Sequence, residues 1–258
     1  MAVSTPLTPN AEIIIQPTAS GQLRRQRRLR YLQKALESSY ETALQTITCG
    51  GLSVELLRVA DVDTLLDRLP RIQFRPDERL PYWADLWPSS LALAQYLWQA
   101  DGLEGVEVLE LGSGLGLAGI VASRKGGVVT LTDYEADALA FTRYNAYRNG
   151  CQQVIIRHLD WHAPTLEQTY AVIFASDVLY ERANFDPLRR LLDRALAPCG
   201  HFIVAEPNRP IARDFLRLLR DHGFQYRRAT ERVKVDGEVT AVSIYHGGRK
   251  QVSPNPRR

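Results

Sequence analysis

The sequence predicts an α/β fold: a seven-stranded, mostly parallel sheet with an antiparallel last strand, helices on both faces, and an N-terminal helix and hairpin extension. Three observations support this class. Between residues 106 and 245, short apolar runs alternate with helical stretches, which is typical of parallel sheets. The last two strand candidates lack a long helix between them, which favours an antiparallel pair. The 258 residues suffice for one domain with a modest extension.

Four segments are expected along the chain. They are a flexible N-terminus rich in Pro, Ser and Thr (1–21), the helix and hairpin extension (22–78), the α/β domain (79–247) and a basic tail (248–258).

The extension contains three expected elements. Leucines and alanines recur at helical spacing among charged residues from Gln22 to about Gln45. Residues 46–59 alternate in polarity and predict a hairpin. A short helix is expected from Val62 to Leu69, with Asp61 as its N-cap.

The α/β domain contains seven strand candidates with helical stretches between most of them. The strands are expected at 106–111, 128–132, 154–157, 171–175, 201–205, 225–228 and 239–245. The helices are expected at 89–99, 117–123, 136–149, 187–196 and 211–221. Because ligands of open α/β sheets bind at the carboxyl ends of the strands, residues that follow a strand are candidates for the site.

Composition and charge exclude several classes of protein. Hydrophobic residues make up 45% of the chain and charged residues 24%, as in soluble globular proteins. No apolar run is long enough for a membrane helix. A net charge of +3 is too small to indicate nucleic acid as a partner. Cys49, Cys151 and Cys199 show neither a disulfide framework nor zinc-ligand spacing, so we expect no metal and a cytoplasmic location.

Basic residues are concentrated near both ends of the chain, at Arg24, Arg25, Arg27, Arg28 and Arg30, and at Arg249, Lys250, Arg257 and Arg258. An anionic partner or a transit peptide would explain the N-terminal cluster. We favour a solvent-exposed helix face, because Tyr31 is the only aromatic residue among these arginines.

A glycine-rich loop follows the first strand of the domain, in the sequence VLELGSGLGLAG from Val108 to Gly119. Glycine allows positive φ and lets the backbone approach a ligand closely. In one frame, the glycines from Gly114 to Gly119 match a dinucleotide fingerprint. In another, the segment from Glu110 to Gly116 resembles the S-adenosylmethionine loop of class I methyltransferases. A tight turn whose glycines serve packing alone is a third interpretation.

Glu110 favours the second frame. A dinucleotide places anionic phosphates at the N-terminus of the following helix, where a carboxylate would repel them. S-adenosylmethionine carries a sulfonium and an ammonium, and a carboxylate attracts both. We therefore expect S-adenosylmethionine as the cofactor and Glu110 as one of its contacts.

Carboxylates also follow the next two strands. Asp133 is expected to accept hydrogen bonds from ribose hydroxyls, with a cap for the helix near Glu135 as the alternative. Asp160 and Trp161 occupy the point that lies beside the adenine in methyltransferases, where an aromatic ring can stack on the base. The alternative is a polar turn with the tryptophan at the edge of the core.

The loop after the fourth strand runs from Ser176 to Glu181, and in the class I fold it faces the methyl group. Enzymes that methylate nucleobases or glutamine amides usually carry Pro-Pro and an aromatic residue here, and this chain contains no Pro-Pro. The alternative is a buried strand end with Asp177 as a cap.

Two tryptophans lie just before the first helix of the domain. We expect Trp87 at the cofactor cavity, and Trp83 either there or in hydrophobic docking of the N-terminal segment.

Together these motifs resemble the family 16 protein-lysine methyltransferases, especially the bacterial relatives of the electron-transfer-flavoprotein β-subunit lysine methyltransferase. The resemblance spans about 80–208, and the Asp177-x-x-Tyr180 motif is its most distinctive part. It implies a Rossmann-like fold, with Asp177 and Tyr180 at the acceptor channel. Together with Glu110, the candidate cofactor residues are Trp87, Gly112, Ser113, Gly114, Gly116, Asp133, Asp160, Trp161 and Ser176.

One segment departs from the resemblance. Some flavoprotein-type members carry a Gly-Asp-Pro-Gly-Arg-like segment after the fifth strand, whereas this chain has Ala-Glu-Pro-Asn-Arg at 205–209.

The expected function is methylation of a lysine side chain of a protein. A small-molecule N-methyltransferase, a non-catalytic S-adenosylmethionine-binding protein and a nicotinamide oxidoreductase remain alternatives, and the oligomeric state stays open.

Overall fold

The computed structural model describes residues 13–15, 22–67, 81–235 and 237–250. In chain order, its helices and strands are β1 (Ile13–Ile15), α1 (Gln22–Glu37), β2 (Thr42–Cys49), β3 (Leu52–Val59), α2 (Val62–Asp67), α3 (Pro88–Gln99), β4 (Glu107–Leu111), α4 (Leu117–Arg124), β5 (Val128–Asp133), α5 (Ala136–Arg148), β6 (Val154–His158), β7 (Tyr170–Ser176), α6 (Phe185–Ala195), β8 (Leu196–Glu206), α7 (Ala212–Asp221), β9 (Phe224–Val235) and β10 (Glu238–Arg249). Short 3₁₀ turns occur at Tyr82–Ala84 and Arg182–Asn184.

The main sheet has the strand order β1-β6-β5-β4-β7-β8-β10-β9. The strands from β6 to β8 are parallel, and β10 runs antiparallel to both β8 and β9. This arrangement confirms the expected seven-stranded sheet with its antiparallel end. The chain moves outward from β4 through β5 to β6 and then returns to β7, so the switch point lies between β4 and β7. Ligands of such sheets bind in the crevice at this point.

The strand β1 is an eighth strand that the sequence analysis did not expect. Its three isoleucines lie in the segment expected to be a flexible N-terminus, and they pair antiparallel with residues 154–156 of β6. Isoleucine suits a pleated, half-buried surface, and β6 would otherwise present an open edge. The remainder of that segment lies outside the described residues.

Helices cover both faces of the sheet. The helices α3, α4 and α5 pack on one face, whereas α6 and α7 pack on the other. Successive side chains of β4 alternate between these faces. Val108 belongs to the core under α4, and Leu109 and Leu111 belong to the core under α6 and α7. No described helix combines the length and the apolar character needed to cross a membrane.

The extension differs from expectation where its helix ends. The helix α1 ends at Glu37 rather than near Gln45, because residues 42–45 pair with β3 as the start of β2. Ser38 contributes to this end, since its hydroxyl donates a hydrogen bond to the carbonyl of Ala35. Such local side-chain bonds compete with helix formation.

The short helix after the hairpin follows expectation at its start. Oδ1 of Asp61 accepts a hydrogen bond from the backbone N–H of Thr64, 3.0 Å away, which confirms the predicted cap. The helix α2 is described as far as Asp67, and the last two residues expected in it lie outside the described residues.

Two asparagines on α5 attach the hairpin to the domain. The amide of Asn145 accepts from the N–H of Leu57 and donates to the carbonyls of Leu57 and Leu115. One turn later, the amide of Asn149 accepts from the N–H of Glu55 and donates to its carbonyl. These side chains bond to β3 as a neighbouring strand would. Since Leu115 lies in the glycine loop, Asn145 also connects the extension to the candidate site.

Candidate active site

A cavity of about 480 Å³ opens at the carboxyl ends of β4, β5, β6 and β7. Its volume falls within the usual range for small-molecule sites, about 300–1,000 Å³. Its lining comes from six segments: Tyr82, Trp83, Asp85, Leu86, Trp87 and Ser90 around the start of α3; residues 112–115 after β4; 133–135 at the end of β5; 160–162 after β6; Ser176, Asp177, Val178, Tyr180, Glu181 and Asn184 after β7; and Arg209 after β8. Every candidate site residue lines this cavity except Glu110 and Gly116.

A larger polar cavity of about 900 Å³ lies near the other ends of the strands, between the extension and the sheet. Its lining includes Arg25, Glu55, Arg124 and Arg148, and it contains none of the candidate motifs. We therefore assign the chemistry to the cavity at the carboxyl ends.

The glycine loop presents backbone to the cavity at Gly112. This residue has a φ of +67°, and a Cβ there would lie 3.2 Å from Cγ1 of Val178 and 3.4 Å from Cζ2 of Trp161. The tryptophan ring thus lies against the loop itself. Gly116, by contrast, caps α4 with a φ of +83° and packs over Thr142, so its role is structural and its expected cofactor contact is not supported.

The expectation for Glu110 is wrong. The alternation along β4 places its side chain on the same face as Val108, under α4 rather than in the cavity. Its Oε2 accepts a hydrogen bond from the N–H of Gly119 at 3.0 Å, and the residue is 1% exposed. Burial holds the pKa of Glu110 well above its ordinary value. Glu110 therefore lies in an apolar environment away from the cavity, and Gly119, to which it bonds, lies inside α4.

Asp133 stabilises the shape of the loop from the end of β5. Its Oδ2 accepts from the N–H of Gly114 at 2.9 Å, and its Oδ1 accepts from the N–H of Glu135 at 3.0 Å. Burial raises the pKa of Asp133 above its ordinary value, and the two N–H groups act in the opposite direction. Each carboxylate oxygen can accept more than one hydrogen bond. The carboxylate can therefore hold the loop and still accept from a ligand hydroxyl.

The segment after β6 brings a carboxylate and an indole to the cavity. Oδ1 of Asp160 accepts from the N–H of His162 at 2.8 Å, which fixes a tight turn. Nε1 of Trp161 is buried and has no hydrogen-bond partner among the described residues. A buried donor of this kind is costly unless a ligand or water accepts from it.

At the end of β7, Asp177 has an unusual backbone. Its φ is +61°, in the left-handed region, and its N–H donates to the carbonyl of Ala205 on β8 at 2.9 Å. Its side chain is 8% exposed and forms an ion pair with Nη1 of Arg209. Non-glycine residues with this backbone are uncommon and concentrate at functional sites.

Aromatic rings form one side of the cavity. The ring of Tyr82 makes edge contacts with Trp87 and Tyr180, at centroid distances of 6.1 Å and 5.6 Å. Trp83 also lines the cavity, but its ring packs on Tyr40 and Phe141. Trp83 thus combines the two expected roles, because Tyr40 belongs to the N-terminal segment.

Sequence reasoning missed Tyr82 and Arg209 as site residues. Tyr82 lies directly before Trp83 in the sequence, so proximity to the two expected tryptophans was an available signal. Arg209 lies in the segment noted as a departure after β8, but nothing local in the sequence indicates its pairing with Asp177. Among the described residues there is no group of three or more potential metal ligands.

Comparison with known proteins identifies the family of this chain. Residues 71–222, more than half of the chain, match a family model described as lysine methyltransferase. Protein N-lysine methyltransferase METTL21A of Xenopus tropicalis is 36% identical over 162 residues, which cover 59% of this chain and 70% of that protein. EEF1A lysine methyltransferase 3 of Mus musculus is 28% identical over 183 residues, covering 68% and 76%. Histone-arginine methyltransferase METTL23 of Rattus norvegicus is 33% identical over 136 residues, covering 50% and 58%.

Solved structures with a similar fold are also methyltransferases. Precorrin-6y C5,15-methyltransferase from Geobacter metallireducens has a TM-score of 0.51 and 17% identity, and the match covers 63% of this chain and 86% of that one. Magnesium protoporphyrin IX methyltransferase from Synechocystis, with bound SAH, has a TM-score of 0.50 and 16% identity, covering 72% and 95%. At these identities the similarity shows the fold alone.

Proposed function

The chain belongs to the lysine methyltransferase family, and from this premise we propose that it methylates the Nζ atom of a lysine in a protein through the cavity between β4 and β7. Its cofactor is S-adenosylmethionine. One observation carries the assignment of the site: the glycine loop after β4 and the Asp177–Tyr180 loop after β7 line the same cavity. Because β4 and β7 are hydrogen-bonded neighbours, the loops that follow them lie next to each other.

The residues at one end of the cavity suit the cofactor. When bound, S-adenosylmethionine would supply an electrophilic methyl group for the lone pair of the acceptor nitrogen, with its thioether as the leaving group. Asp133 offers acceptor atoms for ribose hydroxyls, and Trp161 offers a ring for the adenine together with its unpartnered Nε1. The excess of carboxylates in the lining suits a cationic ligand.

The other end of the cavity suits a lysine side chain. Tyr82 and Tyr180 provide an apolar wall along which the aliphatic stem of lysine can pack, while Asp177 provides a hydrogen-bond acceptor. The lysine must lose a proton to solvent before it reacts, because the pKa of a free lysine is about 10.4. Partial desolvation by the aromatic rings lowers that pKa and favours the neutral amine.

A labelling assay with a matched variant tests the role of Asp177. The substitution Asp177→Asn removes the carboxylate, and asparagine accepts a left-handed backbone better than alanine does. We expect D177N to bind S-adenosylmethionine with nearly unchanged affinity in calorimetry, but to transfer at least about a hundredfold less tritium to protein, as when a group that acts only in the transition state is lost. Normal transfer by D177N would remove Asp177 from the acceptor site.

Two further outcomes separate the alternatives. Label on a small molecule would indicate a small-molecule N-methyltransferase, and binding without any label would indicate a non-catalytic S-adenosylmethionine-binding protein. We also propose a cytoplasmic location, which fractionation of cells that express the tagged protein would test. The three cysteines, all of them described, are free.

A further inference from the structure

Arg209 is unusual for its position in a strongly acidic cavity. Among the described residues it is the only arginine or lysine in the lining, which includes six carboxylates: Asp85, Asp133, Glu135, Asp160, Asp177 and Glu181. Such a lining attracts a protonated lysine, but nearby carboxylates also stabilise the protonated form and raise the pKa of the amine. Only the neutral amine can react. Among the described residues, Arg209 is therefore the one permanently positive side chain in the lining that opposes this effect.

The fold holds Arg209 in place through the turn after β8. Its N–H donates to both carboxylate oxygens of Glu206, at 3.0 Å and 2.9 Å, and Glu206 is only 1% exposed. Asn208 has a φ of +70°, and its amide donates to the carbonyl of Ala241 and accepts from Nη2 of Arg228. Residues of β10, which neighbours β8, and of β9 beyond it thus brace this turn. These hydrogen bonds fix the backbone at Arg209, and its guanidinium is held by ion pairs with Asp177 and, at 3.6 Å, with Glu206.

Arg209 binds one oxygen of Asp177 and leaves the other available. Its Nη1 forms the ion pair with Oδ1 of Asp177 and lies 3.6 Å from Oε1 of Glu206, but it makes no hydrogen bond to another described residue. Oδ2 of Asp177 is buried and has no hydrogen-bond partner among the described residues. An unpaired buried carboxylate oxygen is costly, so this atom requires a donor from a ligand or from water. The N–H of an acceptor amine is a donor of the right kind.

We propose that Arg209 is a positioning residue for methyl transfer, which fixes Asp177 through Oδ1, leaves Oδ2 to orient the amine, and favours the neutral form of that amine by its charge. This inference rests on the proposed function. Among the described residues, the other titratable groups at this end are Tyr82 and Asp85 before α3, His162 after β6, Tyr180 and Glu181 after β7, and Glu206 at the end of β8. None of them carries a permanent positive charge.

The test compares three variants across pH. Arg209→Met removes the charge, Arg209→Lys retains it without the guanidinium fork, and Arg213→Met removes an exposed charge from α7, outside the cavity. Initial rates of tritium transfer from S-adenosylmethionine are measured from pH 6 to pH 10. The methyl acceptor is supplied by extract of a strain that lacks the protein, at a concentration that limits the rate. Calorimetry with S-adenosylmethionine and a thermal melt accompany each variant.

The rate is expected to rise with pH as the acceptor amine loses its proton. In R209M the midpoint of this rise should lie about one pH unit higher than in the wild type, because both the loss of a nearby cation and the release of Asp177 stabilise the protonated amine. Its rate at pH 7.5 should fall about tenfold and recover at high pH. R209K should keep the wild-type midpoint at a lower rate, and R213M should match the wild type.

Three results would overturn the proposal. A uniform loss of rate in R209M with an unshifted midpoint would show that Arg209 is merely structural, and an unchanged rate would show that it is dispensable. If the wild type transferred no label to lysine, the proposed function would fail first and this inference with it. The last result is distinguishable from the others because it appears before any variant is made.

Discussion

Asn145 offers the sharpest test of how the N-terminal extension is attached. Its side chain is fully buried and makes three hydrogen bonds to backbone atoms, two with Leu57 and one with Leu115. Asn145→Ala leaves those backbone groups without partners where water cannot easily reach them. At about 1 kcal/mol for each lost bond, the free energy of unfolding should fall by about 3 kcal/mol. Because Leu115 lies in the glycine loop, affinity for S-adenosylmethionine should fall as well.

Asn149→Ala is the matched control for this prediction. Its amide bonds Glu55 of the same strand, but Asn149 is only half-buried, so water can replace the lost bonds. We expect a loss of about 1 kcal/mol in N149A. Urea unfolding followed by circular dichroism measures both values, and calorimetry measures cofactor affinity. If N145A lost no more stability than N149A, the attachment of the hairpin through Asn145 would not be the tight, buried contact described above.

Two other substitutions test the assignment of side chains around the cavity. For Glu110, burial raises the folded-state pKa above the unfolded one, so its contribution to stability is complete at low pH and is lost as the pH rises above about 4.5. Glu110→Gln should therefore be more stable than the wild type at pH 8 in urea unfolding. Its affinity for S-adenosylmethionine should be unchanged, and a large loss of affinity would show that Glu110 contacts the cofactor. Trp161→Ala should raise the Kd for S-adenosylmethionine about tenfold or more by loss of stacking, and Trp161→Phe should raise it less. Equal affinities of the two Trp161 variants in calorimetry would show that the ring does not stack on the ligand.

Most of the fold could be predicted because most of its helices and strands have a recognisable pattern in their own stretch of sequence. Apolar runs alternate with helical stretches, and that pattern alone predicts a parallel sheet with its crevice at the carboxyl ends. The strand β1 could not be found in this way, since three isoleucines become a strand only beside the open edge of β6. The end of α1 was placed too late because residues 42–45 suit either structure, and their pairing with β3 decides the outcome.

Residues of the cavity could be predicted where their position relative to a strand end decides whether they reach it. Asp133 ends a strand, Asp160 and Asp177 follow strands, and all three line the cavity. Glu110 was expected in the cavity because of its charge alone. The alternation of side chains along β4 places it on the face covered by α4 instead. Arg209 was missed because its ion pair with Asp177 joins two loops that are adjacent only in the folded sheet.

The most direct measurement of the central claim is the chemical identity of the methylated atom. The purified protein is incubated with isotopically labelled S-adenosylmethionine and extract from a strain that lacks it, and mass spectrometry then locates the label. Lysine Nζ of one protein should carry the methyl group with the wild type, and that signal should disappear with D177N. Label on arginine, on a nucleic acid or on a small molecule would contradict the account.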